Sequence, residues 1–237
     1  AREFTILGRD ASDEAMLRAN DIVRKMFAYR HDVLKALIAD GVKLVVLARG
    51  ERISDLPEYK KLSDASAIDA NARFLDYNAQ MKLLAVGEEN ALSDPAQPLV
   101  GGSQVICVMA GAVYEVTAKR PVDSDWDARP RNVWQQYELR VQRLDQRLDR
   151  SLEQLYGNVS GKGLWKGTSV HDRASYFVQG VLAYFDAAGQ DMPPNDSPHG
   201  ITTREALRQY DPDLFALLSQ TLAYDGHVDW RLRPAAR

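Results

Sequence analysis

The four histidines of this chain, His31, His171, His199 and His227, form no HxxxH or HxH pair, so a zinc ion would need ligands gathered from distant segments. Around His171 the residue types suggest nucleophilic chemistry instead: Ser169, His171, Asp172 and Ser175 supply hydroxyl, imidazole and carboxylate in one short stretch. A Ser-His-Asp triad, however, is assembled from separate segments with its serine on a sharp turn, and no GxSxG-like turn occurs. Glu88 and Glu89 are the next candidates. Two carboxylates can divide acid and base work on a glycosidic bond, provided one of them has a raised pKa and the fold sets their separation. "GKGLWKG" has glycines and lysines without the GxxxxGK[ST] spacing of a phosphate loop, and reads as a turn anchored by Leu164 and Trp165. Asn158 and Asn195 open NxS triplets, a pattern that often arises by chance.

These residues need elements to position them. After an extended "EFTIL", Asp10 and Ser12 offer caps for a helix whose Met16, Ala19, Val23, Met26 and Phe27 keep the spacing of one apolar face. In "HDVLKALIADG" a second helix turns Val33, Leu34, Leu37 and Ile38 inward and stops at Gly41. "VKLVVLA", 42–48, is β-branched and bounded by glycines, the signature of a strand. Residues 51–102 read as irregular with short helices. "GSQVICVMAGAVYEV", 102–116, reads as a buried helix with no ionisable side chain before Glu115. An exposed excursion around Pro121 to Asn132 precedes a long amphipathic helix in which Trp134, Tyr137, Val141, Leu144, Leu148, Leu152 and Leu155 recur at helical steps. In "RASYFVQGVLAYFDA" the aromatic set Tyr176, Phe177, Tyr184 and Phe185 is core material. Thr202 and Glu205 stand in capping-box register, and Asp211 with Pro212 starts a last helix with Leu214, Leu217, Leu218 and Leu222 on one side. The class is α+β, predominantly helical, with a small N-terminal sheet. Residues 1–237 read as one domain, with a mixed α/β lobe over 1–102 and a helical lobe over 103–237.

Composition narrows the partners. With 30 Lys plus Arg against 33 Asp plus Glu, the formal charge is -3, which recommends neither nucleic acid nor an anionic membrane. The single cysteine, Cys107, rules out an intramolecular disulfide and a Cys-based zinc cluster. No apolar run approaches the roughly 18 to 20 residues of a membrane span. The opening "AREFTILGRD" lacks signal-peptide architecture, and removal of a signal ahead of Ala1 would leave the same sequence.

Five segments, in order, carry a resemblance: "DLPEYKKL", "VGEEN" (Val86 to Asn90), "GLWKGT" (Gly163 to Thr168), "SYFVQGVLAYFDA" (Ser175 to Ala187) and "TREALRQYDPDL" (Thr203 to Leu214). Together they resemble a family of bacterial, often exported, zincin-type metallopeptidase-like proteins related in fold to the catalytic domain of anthrax lethal factor. The similarity extends from about Ser12 to Tyr224, and it implies a zincin-like fold. In that family a helix beyond "VGEEN" bears HExxH, two histidines that bind zinc and a glutamate that acts as general base on bound water. Aligned without a gap, the histidine positions fall on Val108 and Ala112 and the glutamate on Met109. The third ligand position falls on Ser175, a second acid on Gln179, and, with one residue deleted, an oxyanion-supporting tyrosine on Ser169. Trp165, Tyr176, Gly180, Phe185 and Tyr210 keep the scaffold pattern.

The resemblance therefore implies a degenerate member with no metal and no cofactor. Its expected function is binding of a peptide, protein or glycan, either in the old cleft or through the insertion at 119–133. Tyr114, His171, Ser175, Tyr176 and Gln179 would line that cleft. The alternative is a metal-independent hydrolase or lyase acting on a carbohydrate or peptide-like polymer, with Glu88, Glu89, Tyr114, Glu115, His171 and Asp172 as candidates. A third reading is a structural domain whose cleft has collapsed onto Val108 and Met109. Family habit favours a periplasmic or secreted location.

Overall fold

Short apolar runs build the sheet of this protein. A computed structural model describes residues 3–59, 73–92, 102–118, 148–165, 170–188 and 201–222. Within them β1 (Thr5–Leu7), β2 (Lys43–Leu47), β3 (Phe74–Leu75) and β4 (Leu83–Gly87) form one sheet in the order β1-β2-β4-β3. β2 pairs in parallel with β1 and β4, whereas β3 runs antiparallel to β4. Residues 51–102 thus hold two strands that the sequence reading left out. The reason is compositional: "LLAVG" has no polar alternation because every residue of β4 is buried, and a short apolar run of Leu and Ala does not declare its period.

The helices are α1 (Asp13–Met26), α2 (His31–Asp40), the single turn α3 (Glu88–Ala91), α4 (Gln104–Val113), α5 (148–161), α6 (Arg173–Tyr184), α7 (Arg204–Tyr210) and α8 (Pro212–Leu222). Ser12 caps α1, its hydroxyl accepting from the Ala15 N–H at 3.3 Å. Ala15, Ala19, Ile22, Val23 and Met26 then face the core, while Met16 is only half-buried. α2 ends as read, on Gly41 in the left-handed region with φ 87°. α7 departs by one position: Thr203 is the cap, accepting from the Ala206 N–H at 3.2 Å, so no capping box forms. Glu205 instead accepts from Arg208 and Gln209. Asp211 caps α8 through the Leu214 N–H at 3.1 Å, with Pro212 as first helical residue.

Two apolar clusters sandwich the sheet. Val45, Leu47, Ile53, Tyr59, Leu83 and Ala85 cover one face, and the larger cluster on the other face joins it to the helices. α4 lies inside that larger cluster, packed against α1, α6 and β4, and α6 in turn packs against α7 and α8. α6 and α8 meet closely at Gly180, where an added Cβ would sit 2.6 Å from Leu214 Cδ2. Leu148 and Leu152 of the expected amphipathic helix are buried as its pattern required. The earlier part of that helix, the 119–133 insertion, Ser169, Asn195, His199 and His227 lie outside the described residues. Among those described, no helix is long and apolar enough to cross a membrane.

Candidate functional site

α4 begins at Ser103, whose hydroxyl accepts from the Ile106 N–H at 3.4 Å. From there Val108, Met109 and Ala112 turn wholly inward, each 0% exposed. The half-buried positions are Gln104, Cys107, Gly111 and, on the π turn Tyr114–Ala118 that continues the helix, Glu115. Their spacing marks one stripe; Met109 and Ala112 turn away from it, and Val108 lies along its buried edge. Asp76, beyond β3, approaches this stripe: an added Cβ on Gly111 would lie 4.0 Å from Asp76 Oδ1. Loss of solvent pushes the Asp76 carboxyl up. Burial pushes the Cys107 thiol up to about 12, and the charge of Asp76 adds to it.

α6 presents the other expected residues, and the structure distributes them differently. Asp172 is its N-cap, accepting from the Ser175 N–H at 2.7 Å and from the Ser175 hydroxyl at 2.7 Å. Ser175 Oγ also accepts from the N–H groups of His171 and Asp172, both at 2.9 Å, so the hydroxyl is occupied in a capping box. His171 stays outside, its side chain 79% exposed and its Nε2 4.0 Å from Asp172 Oδ2. Gln179 is half-buried.

Tyr114 and Tyr176, expected at a cleft wall, belong to the core. Tyr114 packs its ring 6.1 Å from that of Phe177. Tyr176 is fully buried and donates its hydroxyl to Asp211 Oδ2 at 2.7 Å. The same oxygen accepts from Trp165 Nε1 at 3.0 Å, and the Trp165 N–H donates to the Tyr210 hydroxyl at 3.0 Å. The indole meets the rings of Tyr176 and Tyr210 edge-on at 5.9 and 5.8 Å. Burial, with the negative charge of Asp211 beside it, pushes the Tyr176 hydroxyl far up. Asp211 as a buried hub is what sequence reasoning missed, because an aspartate before a proline reads fully as a helix cap, which it also is. A cavity of about 190 Å³ opens beside this node, between Tyr156, Ser160, Leu164, Trp165 and Val170.

Glu88 and Glu89 are anchors on α3. Glu88 accepts from the N–H of Ser12 through Oε2 and from the N–H of Arg49 through Oε1, both at 3.0 Å. The Ser12 bond leads the causes that hold its carboxyl below the usual range. Glu89 takes a two-pronged bond from Arg73, 2.8 Å to Oε1 and 2.9 Å to Oε2. Burial alone would raise its pKa, but the bonds from Arg73 and from the backbone, with the attraction of that guanidinium, outweigh it and leave the carboxyl low.

No family model matches the chain, and no curated protein matches it. One solved structure with some similarity is the Pro-Pro endopeptidase PPEP-2 from Paenibacillus alvei, at a TM-score of 0.45 and 11% identity over 91% of this chain and 96% of that one. So distant a likeness carries no residue role and no activity to this chain.

What the arrangement offers chemically is limited. Among the described residues no three His, Cys, Asp or Glu side chains converge on a point that could hold a metal ion. Both carboxylates of the Glu88–Glu89 pair are low-pKa acceptors with fixed partners, the opposite of a proton donor poised near neutrality.

Proposed function

We propose that this chain is a catalytically degenerate zincin-like protein, related to the lethal factor catalytic domain, that binds a peptide, protein or glycan without cleaving it. The observation that supports the loss of catalysis in this reading is the state of the three aligned positions: Val108, Met109 and Ala112 are apolar and wholly enclosed in the core. A histidine or glutamate there would carry a desolvation cost that these side chains avoid. The reading does not depend on the exact phase of the alignment, since the half-open stripe of α4 has Cys107 and Gly111 at the same four-residue spacing and no histidine. Glu88 and Glu89 lend no support to a metal-independent hydrolase, because their hydrogen bonds tie loops together. Binding uses the surface around that stripe or the insertion at 119–133.

The test combines metal content with turnover. Protein purified without chelator is expected to carry far less than one zinc per chain and to leave a diverse peptide pool intact. A peptide or glycan array is expected to retain it, and loss of retention on deleting 119–133 would assign the contact to the insertion. Chelator-sensitive cleavage of any peptide overturns the reading.

A further inference from the structure

β3 and the residues next to it cross the half-open stripe of α4. By the two-residue period of a strand, Phe74 and Asp76 share one side and Leu75 takes the other. Phe74 packs on the large cluster that contains α4, Leu75 on the smaller cluster behind the sheet, and Asp76 reaches Gly111. The ladder pairs Phe74 with Val86 and Leu75 with Ala85, and one further bond joins this segment to β4, from the Gly87 N–H to the Arg73 carbonyl. So short a ladder adds little stability by itself.

Both ends are fastened, in unlike ways. At one end Arg73 gives Glu89 two hydrogen bonds, donates to the Ala48 carbonyl at 2.9 Å and to the Glu51 carbonyl, and accepts from the Gly87 N–H at 2.8 Å. Glu89 itself is 4% exposed and tucked under Gly87, where an added Cβ would come within 2.1 Å of Oε1. At the other end Tyr77 donates to Asp40 Oδ2 at 2.7 Å, and a tight turn follows in which Asn78 Oδ1 accepts from the Gln80 and Met81 N–H groups.

We propose that residues 73–77 are a strap over α4, latched by the Arg73–Glu89 pair and hinged at Tyr77 and the turn beyond it. Bidentate charge-assisted bonds are among the stronger polar contacts, so one side chain holds most of the open end. Release of Arg73 swings Phe74 and Asp76 away, giving up the two β3–β4 pairs, and uncovers the Cys107–Gly111 part of the helix while β1, β2, β4 and the helical core stay folded, a local opening of the kind that native proteins undergo. The device goes beyond ligand binding and stands whether or not a peptide or glycan is bound there.

Cys107, the chain's only thiol, reports on it. The experiment follows its labelling by N-ethylmaleimide in the full chain at one pH and at increasing urea below the unfolding transition, beside the global unfolding curve. Wild-type protein is expected to label slowly with a shallow urea dependence, because a local opening exposes little surface. Glu89→Gln and Arg73→Lys are expected to label about tenfold faster without urea, beyond any change in global stability. Leu152→Ala, which weakens the core away from the latch, is expected to leave that rate unchanged. The proposal is overturned if wild-type labelling has the full urea dependence of global unfolding, if it proceeds as fast as in unfolded chain, or if the latch variants match wild type.

Discussion

Glu88 binds the start of α1 to the end of β2, and its carboxyl is held low because the ionised form accepts both bonds. A group whose folded pKa lies below its unfolded value, about 4.3 for glutamate, adds stability in full above that value and loses it as pH falls through the folded one. Glu89 has the same sign. Urea unfolding is therefore expected to show level stability from neutrality down to about pH 5 and a decline below it, shallower in Glu88→Gln, which keeps an acceptor without the charge. A variant curve parallel to wild type would remove Glu88 from the acid response. Asp211 makes a second residue-scale case. Tyr176→Phe takes away one of its donors and is expected to cost about 1–2 kcal/mol, whereas Asp211→Ala, which strands the indole, the phenol and the Leu214 N–H, is expected to cost about 3–5 kcal/mol. Equal losses in urea denaturation would mean that the phenol alone accounts for the hub.

At the scale of elements, what the sequence disclosed depended on whether a segment has a wet side. α1 and α2 do, and their stripes, the Ser12 cap and the Gly41 stop were readable. α4 is apolar nearly all round, so its existence was plain while its rotation was hidden; only the structure separates inward Val108 and Ala112 from half-open Cys107 and Gly111. β4, buried on both faces, gave no alternation. The clustering of Ser169, His171, Asp172 and Ser175 was visible as residue types, but the reciprocal capping by Ser175 and Asp172, each accepting from the other's backbone N–H at the start of α6, becomes visible only in the fold. The close approach of α6 to α8 was equally silent. Gly180→Ala forces its new methyl against Leu214, whose side chain must shift in a filled core, and is expected to cost about 1–3 kcal/mol by thermal or urea unfolding. A neutral or stabilising alanine would mean that the two helices can separate freely.

For the whole molecule, the helix-rich α+β class followed from segment patterns, since long amphipathic stretches and one clear strand already imply a small sheet backed by helices. The sheet's connectivity did not follow, because two of its strands were unread, and connectivity bears on something the finished structure no longer displays, which is the order of assembly. β1 finds β2, and β2 finds β4, only by closing loops of roughly forty residues, whereas β3 meets β4 across one tight turn. β1 is thus expected to dock late at the sheet edge, after α1, α2 and β2 have formed. Refolding kinetics would register this as a contrast: Leu84→Ala is expected to slow refolding, and Ile6→Ala chiefly to hasten unfolding. Equal slowing by both would instead place the N-terminal strand in the nucleus.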